Sequence, residues 1–175
     1  MKKWLNILVL GLIAVVVFAC KKEDKPSPAE NGEAQEIQAQ FTEGAIALMY
    51  EKYLELSEAL VATDAESAAQ AGLALASAAE SIHASHPLID LGKTIAHTSA
   101  VEQQRELFSK VTHQIEEELL NYLSEGSTIY KVYCPMVNNN QGDYWLSDRD
   151  EVLNPYFGDR MLKCGRVAEK LMPLQ

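Results

Sequence analysis

The sequence predicts a mainly α-helical fold, an antiparallel bundle of three to four helices with a C-terminal β-hairpin and a turn-rich segment. Three observations support this prediction. Apolar residues recur at spacings of three and four between Phe41 and about Glu125, as on one face of a helix. Helix start signals divide that stretch into separate elements. After Gly126, β-branched and aromatic residues dominate, with Asn, Asp, Gly and Pro at turns between them.

The first predicted helix runs from Phe41 to Val61. Its apolar stripe consists of Phe41, Ala45, Leu48, Met49, Tyr53, Leu56 and Leu60. The residues Thr63-Asp64-Ala65-Glu66 are typical of a capping box, in which Thr63 and Glu66 satisfy free backbone N–H groups at the start of a second helix. That helix is rich in small residues, which allow a neighbouring helix to approach closely, and Pro87 is expected to end it.

Residues 87–98, "PLIDLGKTIAHT", are expected to form a connection with at most one short helical turn. A second capping box at Ser99–Glu102 starts the third predicted helix, which runs from Val101 to about Glu125. Gly126 is well placed as its C-terminal cap. The short loops between the three helices predict antiparallel neighbours.

The last part of the domain, residues 127–175, has a different character. "STIYKVYCPM" predicts a strand, "VNNNQGDYW" a hairpin with Asn140-Gln141-Gly142 at its tip, and "YWLS" the return strand. "RVAEKLMPLQ" fits either a strand or a last helical turn. The aromatic residues of this segment are expected to pack it onto the helices, rather than to form a partner surface: Tyr144, Trp145, Tyr156 and Phe157.

The N-terminus predicts export and a lipid anchor. Residues 1–19 have a positive start and an apolar run too short for a membrane span, as in a signal peptide. Val17-Phe18-Ala19-Cys20 resembles a bacterial lipobox, so Cys20 is expected to carry the lipid; the alternative is an ordinary cleaved signal with a chance cysteine. Residues 20–38 are charged and rich in Pro, Gly and Ser, which predicts a solvated tether to a domain covering residues 39–175. The expected location is the outer membrane, on its periplasmic or surface face.

The charge balance narrows the range of partners. The chain has a formal net charge of -10, and loss of the leader with Lys2 and Lys3 lowers it to about -12. An acidic protein of this kind is not expected to bind nucleic acid or an anionic membrane surface, so the lipid anchor is the only expected membrane contact.

Two sulfur pairs stand at the two ends of the C-terminal segment. Cys134 and Met136 are two apart in a predicted strand, and Met161 and Cys164 are three apart where a helical turn is plausible. Both spacings place the two side chains on one side. If the segment folds back, two thiolates and two thioethers could bind Cu(I) or another soft ion. The alternative is a Cys134–Cys164 disulfide, which an oxidising compartment favours, with the methionines filling the core.

Other candidate sites are weaker. His83 and His86 are one helical turn apart but form a thin ligand set, and His113 is expected to face solvent. A nucleophilic pair of Cys134 with a histidine is conceivable, but Pro135 beside it does not suggest activation. The sequence contains no phosphate-binding glycine loop, nucleophile elbow or His-Glu-x-x-His motif, so no enzymatic activity is expected.

Several motifs resemble a bacterial domain family of unknown function. They are "YCPM", "WLS", "NPYFG" and "MLKCG", in this order, with the more generic "YEKYL" and "QRELFS" in the first and third helices. Family members occur as small lipoproteins and as an appended domain on periplasmic adaptors of heavy-metal efflux pumps. The resemblance therefore implies a helical domain linked to copper or heavy-metal efflux, with an efflux adaptor as a possible partner, and it favours the metal hypothesis. The motif positions carried over are Cys134, Pro135, Met136, Asn154, Pro155, Gly158, Met161, Cys164 and Gly165.

One departure from a related pattern leaves the ligand set open. "YCPM" is similar to the Cys-Pro-Met-His motif of other heavy-metal-binding modules. In this sequence Val137 stands where that histidine would be.

Overall fold

The computed structural model describes residues 39–84 and 86–173, without the side chain of His86. Four helices come first, then a small sheet: α1 (Gly44–Val61), α2 (Ala65–Ser81), α3 (His86–Ala96), α4 (Val101–Leu120), β1 (Ile129–Cys134), α5 (Val137–Asn140), β2 (Asp143–Ser147) and β3 (Arg166–Leu171). The fold is mainly α-helical, as predicted. The predicted signal peptide (1–19), the lipidation site Cys20 and the tether (20–38) lie outside the described residues. Within the described ranges, no helix is long and apolar enough to span a membrane.

Helix α1 begins three residues after the predicted start, because the residues before it are tied to the chain that follows α4. Phe41 forms an isolated antiparallel bridge with Leu123, and the Thr42 N–H donates to the Tyr122 carbonyl at 2.8 Å. From Gly44 onwards the predicted stripe is buried, except for the half-buried Ala45 and the exposed Leu48. The buried face includes Ile46, Met49, Tyr53, Leu56 and Leu60.

The cap of α2 differs from the prediction by one residue. Asp64, and not Thr63, is the N-cap, and its carboxylate accepts from the N–H groups of Glu66 and Ser67 at 3.1 and 3.0 Å. Thr63 has a left-handed backbone (φ 60°), and its hydroxyl accepts instead from the Arg105 guanidinium at 3.0 Å. A carboxylate at a helix N-terminus also interacts favourably with the helix dipole, so Asp64 is the better cap.

The stretch expected to be a connection is an 11-residue helix, α3. Leu88 and Ile95 are fully buried, so this short element has an apolar face of its own. Pro87 does not end α2, which stops at Ser81; it lies in the first turn of α3, where a missing N–H costs nothing. The prediction that Pro87 ends α2 was wrong. In the sequence alone, a proline that follows the end of one helix cannot be distinguished from a proline in the first turn of the next.

Helix α4 ends at Leu120, five residues before the predicted end, with Asn121 as its C-cap. Gly126 therefore does not cap the helix; it has a left-handed φ of 79° in the turn that leads to β1. The predicted Ser99 box is also absent, because Ala100 holds the N-cap position and makes no side-chain cap. Glu102 pairs instead with Arg105, at 3.1 Å.

The sheet is antiparallel with the strand order β2-β1-β3. Strands β1 and β2 form the predicted hairpin, with Val132 opposite Trp145 and Cys134 opposite Asp143. The C-terminal "RVAEKL" is a strand, β3, on the other edge of β1. The single turn α5 contains left-handed residues at Asn138 and Asn139, a conformation that asparagine tolerates better than most residues. This order places β1, which carries Cys134, in the centre of the sheet.

Candidate functional site

The two cysteines of the C-terminal segment meet. Their Sγ atoms lie 2.8 Å apart although the residues are separated by 30 positions, and both thiols are free. Cys134 is the last residue of β1 and is fully buried; Cys164 is half-buried and precedes β3 by two residues. Tyr133 pairs with Arg166 across the β1–β3 ladder, so the strand register itself brings residue 164 next to Cys134.

The distance of 2.8 Å between the two sulfurs is longer than a disulfide bond and shorter than the distance between two sulfurs bound to one metal ion. A disulfide bond is about 2.0 Å long, so the pair is in contact but not bonded. Two sulfurs on one metal ion are further apart: with a metal–sulfur distance of about 2.3 Å, as for zinc, they lie roughly 3.8 Å apart in a tetrahedral site and about 4.6 Å apart in a linear one. Disulfide formation therefore requires the sulfurs to approach, and metal binding requires them to separate by about 1–2 Å.

The contact also changes the acidity of the accessible thiol. A hydrogen bond with Cys134, together with burial and the charge of a Cys134 thiolate, raises the pKa of Cys164 to about 11. Cys164 is therefore protonated at neutral pH. Because the thiolate is the nucleophile and the metal ligand, this disfavours rapid thiol–disulfide exchange and means that a metal ion must displace a proton.

The Asn-Pro-Tyr motif holds the loop that carries Cys164. Asn154 is fully buried, and its side-chain amide donates to the Cys164 carbonyl at 2.7 Å. The same side chain accepts from the Tyr156 N–H at 2.9 Å. The hydroxyl of Tyr156 in turn donates to the carbonyl of Tyr144 at 2.6 Å, which ties the loop to strand β2.

Gly165 allows the loop to pass close to the sheet. Its φ is 150°, and a Cβ at this position would lie 2.9 Å from the Trp145 ring and 3.1 Å from the Tyr133 carbonyl. A larger residue would push the neighbouring Cys164 away from β1, which explains the Cys-Gly pair in physical terms. Trp145 and Tyr156 are buried, and Tyr144 and Phe157 pack partly buried against the core, so the predicted packing role of the four aromatic residues is confirmed.

The two methionines are less closely tied to the thiols. Strand β1 ends at Cys134, so the strand alternation that predicted a shared side for Met136 stops before it; Met136 lies in a turn and is 44% exposed. Met161 is half-buried, and its carbonyl accepts from the Cys164 N–H at 2.9 Å in a tight turn rather than a regular helix. Both therefore flank the thiol pair along the chain, and their role as ligands stays a prediction.

Among the residues that the structure describes, no three His, Cys, Asp or Glu side chains are grouped so that they could hold a metal ion. A structural zinc site usually has four such ligands. The thiol pair alone therefore suits an ion that binds few, soft ligands better than it suits zinc.

Comparison with known proteins identifies part of the chain. Residues 49–124 match a family described as "Protein of unknown function (DUF3347)". No curated protein and no solved structure matches. The match agrees with the predicted resemblance to a domain family of unknown function. It covers most of α1 and all of α2–α4, and ends before the cysteines, so the link to copper efflux stays a prediction.

The sequence analysis missed the role of Arg105, which lies within the matched residues. Arg105 is almost fully buried, and its guanidinium donates to the carbonyls of Pro155 and Leu60 at 3.0 and 2.8 Å and to the Thr63 hydroxyl at 3.0 Å. It thereby joins the matched helices to the Asn-Pro loop. Burial lowers the pKa of Arg105 from its usual value, although it remains charged. The sequence does contain a signal for this burial, because Arg105 lies within the apolar stripe of α4, four residues after Val101 and three before Phe108.

A second missed feature is the buried carboxylate of Asp143, which anchors β2 to α4. Asp143 accepts from Ser109, from Asn138 at 3.0 Å, from its neighbour's N–H at 2.8 Å and from His113 Nε2 at 3.0 Å. His113 was expected to face solvent. Its side chain is half-exposed, and its two ring nitrogens contact Asp143 and Tyr144, so it connects α4 to β2. The side chain of His86 lies outside the described part, so its predicted pairing with His83 is untested.

The Tyr144 hydroxyl continues this network. It lies 2.9 Å from His113 Nδ1 and donates to Glu116 at 2.5 Å, while Lys131 bonds Glu116 at 2.7 Å. Burial and the neighbouring Glu116 carboxylate raise the pKa of Tyr144 well above its usual value, so it is a neutral donor throughout the physiological range. The network fixes the hairpin, and with it Cys134, against α4.

Proposed function

We propose that this chain is an exported, lipid-anchored protein of the cell envelope whose Cys134–Cys164 pair binds Cu(I) or a similar soft ion. The observation that carries the proposal is the 2.8 Å contact between two free thiols from opposite ends of the C-terminal segment. Thiolates are soft ligands that select Cu(I) over Mg²⁺ or Ca²⁺. Met136 and Met161 are the candidate thioether ligands, and no residue has a catalytic role in this proposal.

Binding would proceed mainly by movement of Cys164. Cys134 is buried in the central strand and pairs with Asp143 across the ladder, whereas Cys164 is half-buried in a loop. An outward shift of this loop by about 1–2 Å would admit an ion between the sulfurs. The Cys164 proton must leave at the same time.

The predicted export signal and lipobox would place the domain in the cell envelope, where it could intercept metal. The protein would buffer the ion or pass it to a heavy-metal efflux system, and the resemblance to domains of periplasmic adaptors supports such an adaptor as the partner. The acidic net charge of the chain, -10, is compatible with handling cations.

A second candidate function is a structural module in which a Cys134–Cys164 disulfide fastens the loop to the sheet, without metal. The same sulfur contact favours it, because the atoms need to approach by only about 0.8 Å to reach the bonded distance. An oxidising compartment would promote that bond.

A competition titration tests the metal proposal. The reduced full chain, purified in detergent, is titrated with Cu(I) against a chelator of known affinity. We expect one ion per chain, at least tenfold weaker binding in Cys134→Ser and Cys164→Ser, and smaller losses in Met136→Leu and Met161→Leu. Lys163→Gln, a change at an exposed neighbour of Cys164 that introduces no sulfur, is the matched control and should keep the wild-type affinity. Unchanged affinity in both serine variants would eliminate the thiols as ligands.

A further inference from the structure

Asn154 connects the start and the end of the loop that carries Cys164. Its own N–H donates to the Leu162 carbonyl, and its carbonyl accepts from the Gly158 N–H, both at 2.9 Å. Its side-chain amide reaches the Cys164 carbonyl at 2.7 Å. The residue is fully buried, so no water competes for these bonds.

We propose that Asn154 is a positioning residue for the thiol pair: its amide holds the Cys164 backbone and thereby sets the distance between the two sulfurs. The partner thiol needs no such support, since Cys134 pairs with Asp143 of β2 and its neighbour Tyr133 pairs with Arg166 of β3. The Cys164 N–H also donates to the Met161 carbonyl, but this bond lies within the loop and would move together with it. The side chain of Asn154 is therefore the tie that links Cys164 to the base of its loop.

The chemistry of the side chain explains why an asparagine is required. One end of the amide must accept from the Tyr156 N–H and the other must donate to the Cys164 carbonyl. Aspartate has almost the same shape, but an ionised carboxylate only accepts hydrogen bonds. It would keep the first bond, lose the second and repel the carbonyl oxygen.

The test compares Asn154→Asp and Asn154→Ala with the wild-type full chain. The rate of Cys164 alkylation is measured against pH, with the modified peptide identified by mass. In the wild type the rate should rise towards a midpoint near pH 11, because the contact with Cys134 raises the pKa of Cys164 to about 11. In both variants the midpoint should fall, because the sulfurs separate. For aspartate this fall would occur although its negative charge acts in the opposite direction.

Two further measurements complete the design. Asn121→Asp is the matched control. Asn121 also donates to a backbone carbonyl, that of Glu117, but it is the exposed C-cap of α4, so the midpoint should stay at the wild-type value. In the wild type, the NMR signals of the Asn154 side-chain amide should shift when the thiols are oxidised to a disulfide. This measurement needs no variant to fold.

A Cu(I) titration of the two Asn154 variants is the only measurement here that rests on the proposed function. Both variants should bind Cu(I) at least tenfold more weakly than the wild type. If the wild type binds no Cu(I), the proposed function fails while the alkylation profiles still test Asn154. If the variants keep the wild-type profile, or the amide signals do not respond to oxidation, the positioning role is overturned even where Cu(I) binds.

Discussion

At the scale of single residues, the candidate site depends on a few buried polar groups whose hydrogen bonds cross between elements. Arg105 bonds two carbonyls and a hydroxyl contributed by the end of α1 and by the Asn-Pro loop. In the protein interior these acceptors have few other hydrogen-bond donors within reach. Losing one donor leaves buried acceptors unpaired, which costs more than the bond itself contributes.

Arg105→Lys should therefore destabilise the protein by about 2–4 kcal/mol, although the charge is kept, because a single ammonium cannot reach all the partners of the guanidinium fork. Urea unfolding followed by circular dichroism measures the change. Arg160→Lys is the control: Arg160 is exposed and also pairs with Glu102, so less than about 0.5 kcal/mol is expected. Equal effects of the two substitutions would refute the structural role of Arg105.

The thiol contact predicts a pH dependence of stability. The pKa of Cys164 is raised to about 11 in the folded state, so the folded protein holds this proton more tightly than the unfolded chain does. The associated stability is present in full below about pH 9 and is lost as the pH rises towards about 11. Unfolding of the reduced protein from pH 8 to 11 should show this loss, and Cys164→Ser should lack that part of it. Parallel curves for the two proteins would show that the contact does not hold the proton.

At the scale of elements, the close contact of α2 and α3 depends on two glycines. A Cβ on Gly72 would lie 2.7 Å from the Ile95 side chain, and one on Gly92 would lie 2.7 Å from the Gly72 carbonyl. Two helices that approach this closely leave no room for a methyl group on either side. The small-residue stripe of α2 was identified from the sequence, but its partner was not, because the α3 segment was taken for a connection.

Gly72→Ala should thus lower stability by about 1–3 kcal/mol, although alanine favours helix formation by about 1 kcal/mol over glycine. Gly44→Ala serves as the control, since nothing lies within 4 Å of a Cβ at that position, and it should be neutral or slightly stabilising. Thermal unfolding of both variants measures the difference. A stabilised Gly72→Ala protein would contradict the close packing of the two helices.

The elements also show what the sequence could and could not predict. Periodicity located α1, α2 and α4, and β-branched and aromatic runs located the hairpin, because these signals are local. The caps were less predictable: Thr63 and Ser99 matched a motif, but Asp64 and Ala100 hold those positions. The meeting of Cys134 and Cys164 was proposed from spacing. The hydrogen bonds around them were not predicted. Asp143 bonds residues 34 and 30 positions away, and the bond from Asn154 to Cys164 spans only ten positions but depends on how the loop folds.

At the scale of the whole molecule, Asp143 joins the matched helices to the C-terminal sheet, and Arg105 joins them to the Asn-Pro loop. Both connections lead to the thiol pair, because Cys134 pairs with Asp143 and Asn154 bonds the Cys164 carbonyl. A disulfide between Cys134 and Cys164 would close a loop of about 30 residues, which by the chain-entropy estimate stabilises the fold by about 3–4 kcal/mol. Urea unfolding of oxidised and reduced protein should show this difference, and Cys164→Ser should match the reduced form. Equal stability of both forms would mean that the bond strains the native loop.

Metal binding should also depend on pH. Because Cys164 keeps its proton well above neutral pH, ligation releases it, and the Cu(I) Kd should rise about tenfold for each unit of pH decrease from this thiol alone. Competition titrations at pH 6, 7 and 8 measure the slope. A Kd independent of pH would mean that Cys164 is not a ligand.

The most direct test of the central claim is the chemical state of the thiol pair in the cell envelope. The protein is isolated under rapid alkylation, and its intact mass is measured with and without added reductant, before and after removal of metal. The metal proposal predicts a copper adduct and, after metal removal, two free thiols at Cys134 and Cys164 that take up the alkylating agent. A uniform loss of two hydrogens, with no adduct and no alkylation until reductant is added, would contradict it.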